Sequence, residues 1–558
     1  MTIQLRTWQS EALHKALAWL LGANGDRHFI LNAAPGAGKT IAACVIAQEL
    51  ISRGEIDRVV VIAPRAEVVN QWARDFQTVT SRPMSKVTGV DGDLAGLGID
   101  VCATWAAIEG LLEGFQEICR RERTLVICDE HHHAAVKAAW GDSADSAFAM
   151  ARHVLILTGT PIRSDGAQSV WLAYDTKGAI DHPDAGTYTL SYGDAVDLGY
   201  CRPVTFHRHE GHFTVDLEDG TTVDVHSRKP ADLTGKLKRV PGLQAALDFY
   251  RLACTPQYDP VDGVTPLLTG YQATMLDWGS RKLDELRLRM PEAGGLVIAP
   301  TIEMAEYMAD LLESLEGERP TLVHSQTGNA ESRIRAFRAT SKRWIVSVAM
   351  ISEGVDIKRL RVLVHLPNAL TELAFRQAIG RVVRTSGPED DTRAYVIMPS
   401  TETFEAYARR IEGEMPASQR KDPGPPKTKA CPVCHAECGL SAPACEECGH
   451  EFSNGRKAAL KACAGCGAQN PAGAESCHAC GERFQSAFTL TLDEALRTGA
   501  IVRGMDLSEE EVSQAETLAA PVRNRILASG DTTLLRVIRS LPEESFARLK
   551  DILDGGSP

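Results

Sequence analysis

The sequence predicts an α/β protein of two tandem lobes, each built on a parallel sheet, followed by two small cysteine-rich units and a helical carboxyl-terminal segment. Three observations predict it. Short β-branched apolar runs alternate with amphipathic stretches, and this rhythm starts twice, at Phe29 and again after Pro291. Nine of the fifteen cysteines crowd between Cys431 and Cys480. The 558 residues exceed what one hydrophobic core organises, so roughly three or four folded units are expected.

In the first lobe, residues 1–200, the strands are read at Phe29–Leu31, Val59–Ile62, Ile99–Cys102, Leu125–Cys128 and His153–Leu157. Near-continuous apolar runs of this kind suit strands buried on both faces. Residues 201–290 break the rhythm and are read as a bridging or insertion segment. There His212 to Val225 alternates around Asp219-Gly220, a hairpin signal, with helices expected over 241–254 and 270–289. His207, His209 and His212 are not read as metal ligands, because no fourth ligand at suitable spacing accompanies them. The second lobe, residues 291–415, places strands at Leu296–Ala299, Thr321–Val323, Trp344–Val348, Val362–Val364 and Ala394–Met398.

Residues 416–430 are a linker by composition, since prolines 423, 425 and 426 block both helix and ladder pairing. Residues 431–485 form the tandem cysteine units. Residues 486–558 are read as amphipathic helix, with Leu534, Val537, Ile538 and Leu541 among the packing positions. No apolar run approaches the roughly 18 residues of a membrane span. The start, Met1 to Gln9, lacks the charge and apolar core of a signal peptide, so a cytoplasmic location and no membrane partner are expected. Net charge is −13, which leaves any nucleic-acid contact to local basic positions in a cleft.

The first chemical site follows the first strand. Ala33-Ala34-Pro35-Gly36-Ala37-Gly38-Lys39-Thr40 runs from a strand into a helix. Gly36 and Gly38 let backbone N–H groups converge on phosphate, and the helix amino terminus favours anionic charge. Lys39 suits the β- and γ-phosphates, and the Thr40 hydroxyl suits Mg²⁺. A phosphate site also needs carboxylates. The apolar strand Leu125–Cys128 ends in Asp129-Glu130, at the strand end where open α/β sheets bind ligands. Asp129 is assigned to Mg²⁺ and Glu130 to the attacking water. His131-His132-His133 is not read as a zinc site, because adjacent side chains in such a loop diverge.

These residues, in this order, resemble superfamily 2 helicases of the DEAD/DEAH-box class. Within it they are similar to the branch holding restriction-enzyme motor subunits, UvsW-type helicases and RadD-like proteins. The resemblance implies two RecA-like domains that sandwich ATP. It makes Leu5-Arg6-Thr7-Trp8-Gln9 the adenine-recognising segment, with Gln9 the adenine contact. Ala63-Pro64-Arg65 through Asn70-Gln71-Trp72 resembles motif Ia, which implies that Arg65 touches the nucleic-acid backbone. Asp129-Glu130-His131-His132 resembles the Asp-Glu-x-His box, with His132 the coupling histidine. Leu157-Thr158-Gly159-Thr160-Pro161 resembles motif III, with Thr158 and Thr160 in coupling. Glu353-Gly354-Val355-Asp356 resembles motif V and places Gly354 and Asp356 at the nucleotide. Gln377-Ala378-Ile379-Gly380-Arg381-Val382-Val383-Arg384 resembles motif VI, with Gln377 at the nucleotide and Arg381 and Arg384 as arginine fingers. The sequence departs from the pattern at Ala33, where the family has glycine, at Gly159, and in the extra His131 and His133.

The cysteines form an internal repeat: Cys431, Cys434, Cys445, Cys448 and Phe452 recur 32 residues later as Cys463, Cys466, Cys477, Cys480 and Phe484. Paired Cys-x-x-Cys units suit tetrahedral Zn²⁺, giving two closed, structural sites. Units this short lack apolar burial, so metal binding supplies their folding energy. Gly439, Gly449, Gly467 and Gly481 are read as the turns around the metal, and Cys438 as unliganded. Six Lys/Arg and six Glu lie between residues 427 and 484, leaving no cationic excess for phosphate. A protein partner, on the ribbons or the carboxyl-terminal helices, is therefore as well supported as nucleic acid there. The functional expectation is an ATP-dependent DNA helicase or translocase using ATP, Mg²⁺ and two Zn²⁺. An RNA helicase and an ATP-gated platform that recruits a partner without unwinding are the alternatives.

Overall fold

The computed structural model describes residues 4–22, 26–64, 66–89, 98–129, 145–159, 171, 173–174, 180–216, 222–227, 231, 233, 247–259, 261–324, 326–348, 357–387, 390–420, 422, 424, 428–440, 442–452, 460–463, 466–471, 477–481 and 487–491. The first lobe is a seven-stranded parallel sheet. Its order is Met84–Val87, Asp100–Thr104, Arg58–Ala63, Thr124–Asp129, His153–Thr158, His28–Ala33 and Thr187–Leu190. Alternation explains why these runs read as unbroken apolar stretches. Phe29, Leu31, Val59, Val61, Leu125 and Ile127 feed one apolar layer, while Ile30, Val60, Ile62, Val126 and Cys128 feed the other.

The second lobe is a six-stranded parallel sheet in the order Val204–His209, Ala394–Pro399, Leu360–His365, Gly294–Ala299, Trp344–Val348 and Thr321–Val323. Helices Tyr271–Arg287, Ile302–Glu316 and Glu372–Val382 cover it. The helix starts follow from side-chain caps: Thr301 accepts from the Met304 N–H at 3.1 Å and Thr371 from the Ala374 N–H at 3.1 Å. Gly279 allows close approach of the first of these helices, since a methyl there would stand 3.3 Å from both Trp344 and Val364.

Several expectations need correction. Residues 201–290 are not a bridge set apart from the lobes: Val204–His209 is the edge strand of the second sheet and Tyr271–Arg287 packs on that sheet. The linear pattern hides this because the lobe's first strand precedes its core strands by a long excursion. The hairpin is present as His212–Asp216 paired with Thr222–His226, but it gains a third strand, Ala487–Thr491, parallel to His212–Asp216. The start of the expected carboxyl-terminal helix is therefore a strand. Phe488 and Leu490 bury their side chains there, with Phe488 packed on Phe213 and Tyr271. Residues 492–558 lie outside the described residues.

The linker is also shorter than expected. Thr428–Ala430 already pairs with Glu437–Gly439 inside the first cysteine unit, and the Ala430 N–H donates to the Leu288 carbonyl at the end of helix Tyr271–Arg287. Both flanks of the cysteine-rich segment are thus attached to the second lobe. Among the described residues no helix is long and apolar enough to cross a membrane.

Candidate nucleotide site between the lobes

Strand His28–Ala33 delivers the chain to the phosphate loop, where Gly36 and Gly38 take left-handed φ values of 84° and 98°. Helix Lys39–Ser52 then starts directly at Lys39. The Lys39 ammonium donates to the Ala33 carbonyl at 3.0 Å, closing the loop on itself. Thr40 is partly exposed in the first helical turn. Gly159, a departure from the expected motif, stands where a methyl would come 2.7 Å from the Lys39 Nζ. Glycine there keeps room for the ammonium.

The amino-terminal helix Thr7–Leu20 braces this loop. Gln9 is buried; its Nε2 donates to the Gly38 carbonyl at 3.0 Å and its Oε1 accepts the Arg6 N–H at 2.9 Å. Arg6 donates to the Ala37 carbonyl at 2.8 Å and lies over the Tyr200 ring at 4.6 Å. Sequence reading assigned Gln9 and gave no role to Arg6, two residues before the helix's first buried position.

Asp129 ends strand Thr124–Asp129 with its side chain buried. Its Oδ2 accepts the Trp72 indole N–H at 2.7 Å. Trp72 comes from helix Ala66–Thr80 and is 1% exposed. This indole orients the carboxylate from 57 positions away, and no local spacing announces it. Thr158, fully buried, ends the neighbouring strand His153–Thr158 and stands in register with Asn32. Arg65, Glu130, His132, Thr160, Gly354 and Asp356 lie outside the described residues.

The second lobe reaches this loop with one helix. In Glu372–Val382, Gly380 faces Pro35 so closely that a methyl on it would stand 2.5 Å from the Pro35 Cβ. Just beyond the helix, Arg384 crosses the phosphate loop: a methyl on Gly36 would come 2.7 Å from its Cγ. The Arg384 Nε donates to the Gly380 carbonyl at 3.0 Å. Arg381 is buried in the last helical turn and Gln377 is partly exposed one turn earlier. Arg376, on the same helix, is committed elsewhere, pairing with Glu372 at 3.0 Å and Glu414 at 2.6 Å.

Cys201, on the segment joining the lobes, donates its thiol to the Pro35 carbonyl at 3.3 Å. Burial pushes this thiol up to about 12 although Arg6, Lys39 and Arg384 all pull it down. Cations from three chain segments therefore act on this one thiol. Beside it a cavity of about 210 Å³ separates the lobes, lined by Asn32, Pro35 and Gly159 on one side and Arg376, Gly380 and Glu414 on the other. The cavity meets the glycine loop at Pro35, and the loop leads into the amino terminus of helix Lys39–Ser52, an arrangement that suits a polyphosphate.

The cysteine clusters are separate from this site. In each of the two, one Sγ from each of four cysteines lies within 4.8 Å of the others: Cys431, Cys434, Cys445 and Cys448, then Cys463, Cys466, Cys477 and Cys480. Sulfur pairs stand at 3.5 Å for Cys431–Cys448 and Cys466–Cys477, and at 3.6 Å for Cys434–Cys445 and Cys463–Cys480. Four thiolates about 2.3 Å from a tetrahedral ion would stand about 3.8 Å apart, so the clusters fit zinc. Backbone donors already face the sulfurs; the Val433 N–H reaches Cys431 at 3.5 Å and the Ala479 N–H reaches Cys477 at 3.4 Å. Gly439 does not make a metal turn as expected, because it sits in strand Glu437–Gly439. The left-handed positions after the second cysteine of each knuckle are His435, Gly449, Gly467 and Gly481, with φ of 60°, 73°, 72° and 73°. Cys438 packs with Cys431 and Cys445 in a small apolar cluster.

The family model for the Type III restriction enzyme, res subunit, matches residues 2–163, and the model for the helicase conserved C-terminal domain matches residues 280–386. An uncharacterized protein of Mycobacterium leprae is 31% identical over 410 residues, covering 73% of this chain and 64% of that protein. An uncharacterized protein of Mycobacterium tuberculosis is 31% identical over 412 residues, covering 73% of this chain and 63% of that one. The chain thus spans a little under two thirds of the length of these relatives. The solved structure of the ATP-dependent Type ISP restriction-modification enzyme LlaBIII bound to DNA aligns with a TM-score of 0.47 and 17% identity, covering 74% of this chain and 30% of that chain.

Proposed function

We propose an activity for a chain that belongs to helicase superfamily 2 by its paired domains: hydrolysis of ATP between the lobes, driving unwinding of DNA or translocation along it. The carrying observation is that Arg384 of the second lobe crosses Gly36 of the phosphate loop in the first. In this reading Gly36, Gly38 and Lys39 hold the phosphates, and Gln9 contacts the adenine from the helix that braces them. Thr40 and Asp129 would hold Mg²⁺, which supplies charge neutralisation between the β- and γ-phosphates.

Glu130 takes a proton from water as its oxygen bonds the γ-phosphorus. The bond to the β–γ bridging oxygen breaks, and ADP and phosphate leave. Arg381 and Arg384 neutralise charge on the transferring group, a contribution of about 10³ to 10⁵ in rate for such fingers. Loss of the γ-phosphate removes what those arginines bind across the gap, so the lobes are free to separate. Thr158 and Thr160 with His132 relay this to a strand held across both lobes, Arg65 included, while Gly354, Asp356 and Gln377 complete the nucleotide contacts from the second lobe.

DNA is chosen over RNA because the amino-terminal match is to a restriction-enzyme subunit. The zinc ribbons are assigned a structural and partner-docking role. The test is ATPase turnover with single-stranded DNA, duplex DNA and RNA in turn, followed by strand displacement on forked duplexes. Stimulation by DNA with displacement gives a helicase; stimulation without displacement gives a translocase. Stimulation by RNA alone transfers the activity to RNA, and no stimulation by any of the three leaves only an ATP-gated platform.

A further inference from the structure

The segment joining the lobes carries a buried charge network that the mechanism above does not use. Arg202 is 1% exposed, and its guanidinium donates to the Val382 carbonyl at 2.8 Å, the Lys358 carbonyl at 3.0 Å and the Leu360 carbonyl at 3.4 Å. The same guanidinium meets the Asp390 Oδ2 through Nη2 at 2.6 Å, the nitrogen that also reaches Lys358, and through Nε at 3.1 Å. Asp390, whose side chain is 6% exposed, also accepts from Arg361 at 3.0 Å and from the Ser386 N–H at 2.8 Å. The backbone repeats the connection. The Arg202 N–H donates to the Val383 carbonyl at 2.6 Å, Cys201 forms an antiparallel bridge with Arg384, and the Thr385 hydroxyl donates to the Tyr200 carbonyl at 3.3 Å. The bonds to Val382 and Val383, the bridge to Arg384, and those from Thr385 and Ser386 land on the segment that brackets Arg384, while Lys358 and Leu360 tie the same guanidinium to the neighbouring strand.

Two cations around one buried carboxylate are a poor way to gain stability, since desolvation offsets most of the attraction and an apolar replacement often does as well. What such a network supplies is direction, because a planar guanidinium fork accepts few geometries. We propose that Arg202 and Asp390 are positioning residues that fix the end of helix Glu372–Val382 so that Arg384 meets the phosphate bound over Gly36. Arg361 touches the same carboxylate but donates otherwise to Lys358, Leu360 and Thr392, none of them on the finger segment. It therefore anchors the network without aiming the finger. This inference deepens the ATPase reading and rests on it.

The two arginines make the experiment. Full-length Arg202→Lys and Arg361→Lys keep the buried charge and lose the fork. At saturating ATP and DNA, Arg202→Lys should lower kcat by about 10- to 100-fold, the scale of an ångström-sized misplacement, with KM for ATP changed less than about threefold. Arg361→Lys should keep kcat near wild type while lowering the melting temperature as much as Arg202→Lys does. Combined with Arg384→Ala, Arg202→Lys should add little further loss, because both act through one group. Equal kcat losses in the two lysine variants, or an additive loss in the double variant, would overturn the positioning role. If Arg202→Lys does not fold, Asp390→Asn carries the same comparison. Turnover in the wild type with an unchanged kcat in Arg202→Lys defeats this inference alone, whereas absence of turnover in the wild type defeats the ATPase reading and the inference with it.

Discussion

Around Gly36 the backbone is held by neighbours on every side: Gln9 and Arg6 from the amino-terminal helix, Pro35 pressed by Gly380, and Arg384 laid across the loop. Around Cys445 the chain has two other buried cysteines, Cys431 and Cys438, with Ala436, Ala442 and Phe452 partly buried against them. The interlobe cleft takes its geometry from a large apolar cluster that runs through both lobes. Among the described residues the ribbons hold only a small buried cluster and two four-cysteine sets that could hold an ion. The difference teaches where each region is vulnerable. The cleft should tolerate loss of its ligand and fail on a single misplaced methyl, whereas a ribbon should tolerate surface change and fail when thiolates are removed.

The most severe test of the cleft is chemical. Lys39→Ala and Glu130→Gln should each reduce ATP turnover by about a thousandfold or more while the melting curve stays that of wild type. Retained hydrolysis in Glu130→Gln removes that residue as the base. On the other side of the comparison, Cys445→Ser with Cys448→Ser should lower bound zinc from two equivalents to one and expose the first ribbon to protease. Core ATPase should remain within about twofold, because metal binding is folding energy only for the ribbon. A large ATPase loss there would show that the two regions are not energetically separate.

Sterics provide the intermediate case. Gly380→Ala places a methyl 2.5 Å from Pro35, and overpacking of that kind costs about 1–3 kcal/mol. Turnover should fall by about tenfold as the helix backs away from the phosphate loop; unchanged kcat would mean the lobes meet differently during catalysis. The smallest effect is expected at His435, which takes φ 60° where the second ribbon has Gly467. His435→Gly should relieve about 1 kcal/mol of left-handed strain, seen as a roughly fivefold gain in zinc affinity of the first ribbon by competition with a chelator.

Much of the cleft was legible because its signals are local. The phosphate loop is eight consecutive residues, the acidic pair ends one strand, and the cysteine repeat has a fixed period. Each encodes its geometry through backbone freedom or ligand spacing within one or two turns of chain. The partners that aim these groups were not legible. Trp72 meets Asp129 across 57 positions and Arg202 meets Asp390 across 188. A tryptophan on a buried helix face and an arginine in a linker look like packing and solvation until the fold brings the carboxylates to them. The strand Ala487–Thr491 was misread for the same reason: its pairing surface is supplied by His212–Asp216, far away in the chain.

Taken alone, the sequence determined the two parallel-sheet lobes, the phosphate loop, Asp129 at its strand end and the two four-cysteine sets, since periodicity and spacing act over short range. Tertiary structure alone decided that Val204–His209 joins the second sheet, that Arg384 lies over Gly36, that Trp72 bonds Asp129, and that Arg202 bonds the end of helix Glu372–Val382. Those choices belong to long-range burial: a polar group leaves water only where a partner already waits, and that partner's position is set by how two cores pack rather than by any neighbouring residue.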